Sequence, residues 1–196
     1  MASWMVHLRI ADQLLDSLPN LSKTEFIVGN LAPDSGVPNE DWSVFTPSTT
    51  VSHFRTAGKK ADPAAFAKKY FTQQIRSSYS KQQYSFYLGY LTHLMTDALW
   101  SREVVHPTKI RFSGKFMEDP DFIWTVKKDW YDLDFRYLRD HPDFRAFQTY
   151  LSAENFRNTY MEEFSSDAFD NRRAYITNFY LEDRKGLDRD YPYLTQ

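Results

Sequence analysis

The sequence predicts an all-α fold in a single compact multi-helix domain that spans residues 1–196. Hydrophobic residues recur at helical spacing along most of the chain, and no segment shows the alternation of a useful β-strand. With 42% hydrophobic residues, a chain of 196 residues can close one sizeable core but is short for two independent ones. The 17% share of aromatic residues indicates that large rings build much of this core.

Two helices are predicted near the N-terminus. Apolar residues at helical spacing predict the first over residues 3–18. The second is predicted to begin at Ser22, where Glu25 three residues later completes a capping box, and to end at Gly29-Asn30. Residues 31–61 are rich in Pro, Gly, Asn, Ser and Thr, which indicates a long structured loop. Loops of this length inside a compact domain are usually functional or disordered.

The rest of the chain predicts further helices. Asp62-Pro63 and Asp119-Pro120 are typical of a cap followed by proline at a helix start. The segment 81–103 is apolar nearly all round, so it should pass through the centre of the domain. The last segment is one or two amphipathic helices separated near Leu151-Ser152. The predicted ranges are 62–76, 81–103, 120–139 and 143–182.

Composition excludes several classes of function. The chain has no cysteine, so disulfides, thiolate-bound zinc and cysteine nucleophiles are excluded, and any metal must be held by nitrogen and oxygen. A net charge of −2 gives no basic footprint for extended nucleic acid, although a small phosphodiester substrate stays possible. No window approaches the length of a transmembrane span, and polar residues interrupt what would be a secretory signal, so we expect a cytoplasmic protein.

The sharpest chemical signal is the pair His93 and Asp97. Four residues in a helix place the imidazole and the carboxylate on one face, one turn apart. Lysine and arginine are absent between Lys81 and Arg102, and a buried carboxylate is costly without a positive partner. A bound cation is a natural partner. The alternative is a structural pair in which Asp97 bonds to His93 or to a distant arginine.

Three other residues are candidates for the same site. His7 lies among apolar residues of the first helix, as either a ligand or a core histidine bonded to a carbonyl. Asp34 follows a proline that fixes the preceding turn, although an Asx turn explains it equally well. His53, in Val51-Ser-His-Phe54, has apolar residues on both sides within an otherwise polar loop, which indicates that the loop turns its side chain inward. The alternative is an exposed loop histidine.

The order of these pieces resembles a known family. A histidine is followed by Gly-Asn-x-Ala-Pro-Asp, by Ser-His-Phe and by Leu-Gly-Tyr-Leu-x-His-x-x-x-Asp, which is similar to the zinc-dependent phospholipase C family. That family has an all-helical fold shared with single-strand-specific zinc nucleases. The resemblance covers residues 7 to about 100, and the four-part order is more specific than any single piece.

The resemblance implies that His53, His93 and Asp97 hold one zinc ion, with Asp34 as a further ligand or as the catalytic general base. It also implies that Asp97 bridges to another metal bound by His7. The number of zinc ions is open from one to three, and another divalent transition metal is an alternative. The implied activity is metal-dependent hydrolysis of a phosphoric ester by an activated water. The substrate would be a small phosphoester or a phospholipid head group.

Two features depart from the family pattern. In secreted members an N-terminal tryptophan binds metal through its free amino group, whereas Trp4 is internal unless three residues are removed. A later histidine pair also supplies a further zinc site, for which this chain offers His106. His141 has Arg145 four residues later instead of an acid, so Asp129, Asp132 or Asp134 would have to substitute.

Other functions fit the same residues to different degrees. A non-catalytic helical binding module with a structural or vestigial metal site fits the same ligands. An HD-type phosphohydrolase is disfavoured because the only adjacent pair, Asp140-His141, has the reverse order. Serine catalysis by Ser52 and His53 is disfavoured because adjacent residues do not face each other productively. The sequence does not indicate an oligomeric state.

Overall fold

The regular secondary structure of the protein is almost entirely helical, in a computed structural model that describes residues 1–41, 43–56 and 61–194. The all-α fold class is confirmed. The helices are α1 (Trp4–Ser17), α2 (Lys23–Leu31), α3 (Thr49–Ser52), α4 (Pro63–Tyr70), α5 (Gln73–Arg76), α6 (Lys81–Trp100), α7 (His106–Arg111), α8 (Ser113–Glu118), α9 (Phe122–Asp140), α10 (Arg145–Leu151) and α11 (Ala168–Leu181).

The region predicted as a loop, residues 31–61, contains short regular elements. It holds a 3₁₀ turn over Ala32–Asp34, the antiparallel strands β1 (Val37–Pro38) and β2 (Phe45–Thr46), and helix α3. Residues 42 and 57–60 of this region lie outside the described residues. Each element is at most four residues long, too short for hydrophobic periodicity to reveal it.

Two predicted helices have different boundaries. The segment 62–76 is divided into α4 and α5, because Thr72 begins a new helix by accepting a hydrogen bond from the Ile75 amide. The segment 81–103 is α6, which continues through a π-helical turn over Ser101–Val105 directly into α7. The predicted separation near Leu151 is confirmed, since α10 ends there and α11 begins at Ala168.

One of the predicted helix caps is confirmed and two are wrong. Asp62 accepts a hydrogen bond from the Ala65 amide at 3.1 Å, as a capping residue should. The capping box at Ser22 is wrong, because the Ser22 hydroxyl donates to the Glu25 carboxylate and makes no cap bond. The start at Asp119 is also wrong: α9 begins two residues later than predicted, at Phe122.

Helices α2 and α6 pack with their backbones in close contact. A Cβ atom added at Gly89 would lie 2.1 Å from the carbonyl oxygen of Phe26, and one added at Gly29 would lie 2.2 Å from that of Phe86. Only glycine at both positions permits this approach. The consequence for the site is that the C-terminal end of α2 lies directly beside His93 of α6.

The main core draws on nearly the whole chain. Aromatic rings dominate it, as predicted, and Phe66 of α4 stacks on Tyr90 of α6 with ring centroids 4.7 Å apart. A smaller cluster of Phe122, Val126 and Trp130 joins α9 to α7 and α8. Because the main core runs from Met5 to Leu187, we propose that residues 1–196 form one domain. No helix within the described ranges is long and apolar enough to cross a membrane.

Candidate metal centre

Five polar residues from four parts of the fold meet at one buried point. His7 lies on α1, Asp34 ends the 3₁₀ turn, His53 follows α3, and His93 and Asp97 lie one turn apart on α6. The three histidines are completely buried and Asp97 is 1% exposed. Asp34 is the residue of the five that keeps contact with solvent, with 9% of its side chain exposed. The structure therefore brings together the five residues that the sequence analysis singled out.

His53 lies at the centre of one half of this cluster. Its Nε2 atom is 3.4 Å from Oδ1 of Asp34 and 3.4 Å from Oδ2 of Asp97. The Nε2 atom of His93 is 3.3 Å from the same nitrogen and 3.7 Å from Oδ2 of Asp97. Asp34, His53 and His93 each offer a ligand atom within 4.8 Å of the others.

His7 forms the other half with His93 and Asp97. The rings of His7 and His93 stack with centroids 3.9 Å apart and planes inclined by 3°. The Nε2 atom of His7 is 3.4 Å from Oδ1 of Asp97, and among the described residues neither ring nitrogen of His7 has a hydrogen-bond partner. These three residues again offer ligand atoms within 4.8 Å of one another. His93 therefore belongs to both groups.

Neighbouring groups orient the two central imidazoles. The Nδ1–H of His93 donates to the carbonyl oxygen of Asn30 at 2.8 Å, so its Nε2 presents a lone pair to the cluster. The Ser52 hydroxyl lies 2.9 Å from Nδ1 of His53. Tyr90 in turn donates its hydroxyl hydrogen to the Ser52 carbonyl, which fixes the end of α3 against α6. Such outer partners are typical of histidines that bind metal.

The two carboxylates are also held from outside the cluster. The indole Nε1–H of Trp4 donates to Oδ2 of Asp34 at 2.9 Å. The backbone N–H of Ala2 donates to Oδ1 of Asp97 at 2.8 Å. The remaining oxygens face the histidine nitrogens, and Oδ2 of Asp97 makes no hydrogen bond to any described residue.

The ionisable groups of the cluster shift one another's pKa values. Burial would raise the pKa of Asp34 and of Asp97, but the facing imidazoles hold the pKa of both carboxyl groups well below its usual range. Burial would lower the pKa of His53, but Asp34 and Asp97 raise it to about 9. Burial, and then the charge of His7, lower the pKa of His93 to about 3. At neutral pH both carboxyl groups of the metal-free cluster are thus ionised, His53 is protonated and His93 is neutral.

A comparison with protein families identifies the chain. A family model described as zinc dependent phospholipase C matches residues 6–177. The chain belongs to this family. The match extends well beyond residue 100, through most of α11, so the resemblance seen in the first half of the sequence holds for nearly the whole chain. Neither the curated proteins nor the solved structures compared with the chain gave a match.

The residues present fit the zinc ion that the family name implies. Imidazole nitrogens and carboxylate oxygens are zinc ligands, and they also suit other divalent transition metals. The unpartnered atoms of His7 and Asp97 are buried polar groups that ordinarily need a partner. An ion would satisfy them and would replace the proton that His53 carries.

The structure does not bring the other predicted ligands to this cluster. His106 is exposed on α7. Asp129 accepts from the Tyr193 amide and pairs with Arg189 at 2.8 Å, and Asp132 pairs with Lys128, Arg184 and Arg189. Asp134 accepts from the Tyr180 hydroxyl. Since cations already neutralise Asp129 and Asp132, we leave these residues and His106 out of the proposed ligand set.

A cavity of about 320 Å³ adjoins the cluster at Asp34 and Ser52. The cavity is also lined by residues that no sequence pattern marks as site residues, namely Trp124, Lys127 and Tyr131 of α9 and Arg172 and Tyr175 of α11. Each helix shows its members at spacings of three or four, which is also typical of a core face or a solvated face. Only the packing of α9 and α11 around the N-terminal segment distinguishes them.

Proposed function

We propose that the chain is a metal-dependent, zinc-containing phosphoric-ester hydrolase in which His7, Asp34, His53, His93 and Asp97 hold the metal. The observation that carries the proposal is the convergence of three buried imidazoles and two carboxylates. Family membership supports zinc and a hydrolytic activity of the phospholipase C type. The proposal allows one to three ions, and the two overlapping groups of ligands favour two.

Bound zinc would supply the Lewis acidity that activates a water molecule and neutralises charge on the phosphate. The residues of the chain have separate tasks. Asn30 and Ser52 hold the His93 and His53 rings in orientation through their Nδ1 atoms. The burial of the cluster keeps bulk water away from the ligands and strengthens their interactions with charge.

Asp34 is the proposed catalytic residue. It is the carboxylate of the cluster that also lines the cavity, and its Oδ2 atom is positioned by Trp4. Its depressed pKa keeps it ionised at neutral pH, so it can accept the proton of the attacking water or bind the metal. The variant Asp34→Asn separates these roles: zinc retained with hydrolysis lost indicates the base, and both lost indicates a ligand.

The adjoining cavity favours an enzyme over a non-catalytic binding module with a structural metal. Structural zinc sites have every coordination position filled by protein, whereas catalytic sites keep a position open. Here the cluster is closed on its α1 and α6 side but reaches a cavity at Asp34. The cavity is large enough for a small phosphoester or a phospholipid head group.

The test is hydrolysis of p-nitrophenyl phosphate and bis(p-nitrophenyl) phosphate by the zinc-loaded protein. We expect activity that is lost on chelation, is lost in Asp97→Asn and is kept in Asp132→Asn. The control is matched because Asp132 is another buried helical aspartate, paired with cations outside the cluster. Equal activity in both variants would contradict the proposal.

A further inference from the structure

Two cationic side chains line the cavity beside the metal centre without a carboxylate partner. Lys127 and Arg172 both contribute to its wall, as does Asp34. No carboxylate in the part of the chain that the structure describes forms an ion pair with either cation. Buried or half-buried cations are ordinarily paired, so these two indicate an anionic occupant.

Each cation is held towards the cavity by its surroundings. The ammonium group of Lys127 lies 4.5 Å from the ring centroid of Trp124, one turn earlier on α9. Burial lowers the pKa of Lys127, while the charges of Asp34 and Asp97 act in the opposite direction, which places the lysine within electrostatic reach of the metal centre. Arg172 is 8% exposed, and one of its amino groups donates to the Gly36 carbonyl at 2.7 Å.

The charges around the cavity determine which substrates it favours. The charges of Lys127 and Arg172 balance those of Asp34 and Asp97, so the whole charge of any bound divalent ion is left uncompensated. A phosphodiester with a quaternary ammonium head group is neutral overall and offers no compensation. A phosphoester with a second negative charge does, and a positive cleft concentrates such anions.

We propose that Lys127 and Arg172 form an anion subsite that selects phosphoesters carrying at least two negative charges. This inference rests on the proposed function, because it assigns the substrate class of the same site. The second charge can come from the second ionisation of a phosphomonoester or from a separate anionic group on a diester. Aromatic residues of the same wall, including Trp124 and Tyr131, would pack against the alcohol portion.

Binding of phenyl phosphate and diphenyl phosphate separates charge from ring packing. At pH 8 phenyl phosphate is a dianion and diphenyl phosphate a monoanion, while both carry the aromatic group. Lys128→Met is the matched control for Lys127→Met, because Lys128 is the next residue and pairs with Asp132 instead of lining the cavity. Calorimetry would be performed on zinc-loaded and metal-free forms of each protein.

We expect Lys127→Met to weaken phenyl phosphate binding about tenfold, the usual loss for one bond to a charged group, and diphenyl phosphate much less. Lys128→Met should bind both as the unmodified chain does, and Lys127→Arg should restore phenyl phosphate. A parallel assay with glycerophosphoethanolamine and glycerophosphoserine, which differ by one carboxylate, tests whether a separate anionic group on a diester can supply the second negative charge in place of a monoester.

The inference is overturned if Lys127→Met and Lys128→Met bind phenyl phosphate equally well. It is also overturned if the unmodified chain binds diphenyl phosphate as tightly as phenyl phosphate. Either result can occur while hydrolysis persists, so the proposed function would stand. Conversely, Lys127-dependent phosphate binding without any hydrolysis would support the anion subsite and refute the hydrolase proposal.

Discussion

Zinc binding should release a proton from His53, and the affinity for zinc should therefore rise with pH. In the metal-free protein burial opposes protonation of His53, but the carboxylates of Asp34 and Asp97 raise its pKa to about 9. An imidazolium has no lone pair for a metal, so the proton must leave. His93 is already neutral and both carboxyl groups are already ionised at neutral pH, so they release none.

The size of this effect follows from the pKa of about 9. Below that pH each unit decreases the unprotonated fraction of His53 tenfold, which costs about 1.4 kcal/mol of zinc binding free energy. Between pH 7 and pH 9 the apparent affinity should accordingly rise about fiftyfold, because half of His53 is still protonated at pH 9. Above pH 9 the dependence should flatten.

Calorimetric titration with zinc in two buffers of different ionisation enthalpy counts the released protons directly. For the zinc ion that binds His53, we expect close to one proton released at pH 7 and less than half of one above pH 9. His106→Gln, which removes an exposed histidine outside the cluster, should give the same count. A zinc affinity that is independent of pH between 7 and 9, with no proton released, would refute this reasoning.

Three further predictions concern packing, orientation and stability. Gly89→Ala should destabilise the protein by about 3 kcal/mol in urea unfolding, because the new Cβ atom would collide with the α2 backbone. The control Gly114→Ala should be neutral or slightly stabilising, because its Cβ atom would meet nothing within 4 Å. Equal effects of the two substitutions would contradict the close packing of α2 and α6. Ser52→Ala should weaken zinc affinity about tenfold in chelator competition by freeing the His53 ring, and unchanged affinity would exclude that orienting role. The protonated His53 stabilises the metal-free fold, and this stabilisation is fully present below pH 6.5 and is lost as pH rises through about 9. The free energy of unfolding measured in urea should therefore fall by up to about 3 kcal/mol between pH 6.5 and pH 10. A metal-free protein that is more stable at pH 10 than at pH 6.5 would contradict this prediction.

Much of this fold could be predicted because its signals are local. The long helices have apolar periodicity, and the spacing of His93 and Asp97 places both on one face of α6. The cap at Asp62 depends on neighbouring residues alone. Ser22 and Asp119 have similar local patterns but different partners, since the Ser22 amide is bound by Ser85 of a distant helix.

The remaining features depend on contacts between distant segments. Gly29 and Gly89 stand in the sequence motifs, but the motifs do not show that these two glycines face each other's helices, let α2 approach α6 and place the Asn30 carbonyl against His93. In sequence Lys127 is indistinguishable from a solvated helix residue, and only the folded structure shows that it lines the cavity together with the N-terminal segment. Asp132 has the sequence pattern expected of an additional metal-binding carboxylate, but it forms ion pairs with Arg184 and Arg189, which are distant in sequence.

Zinc content is the most direct test of the central claim that these five residues form a metal centre. Elemental analysis should be made on the protein purified without added metal, beside Asp97→Asn and the matched control Asp132→Asn, with folding of each checked by circular dichroism. We expect near-stoichiometric or higher zinc in the unmodified chain and in Asp132→Asn, and loss of zinc in folded Asp97→Asn. An unmodified chain that carries no metal and takes up none on incubation with zinc would contradict it.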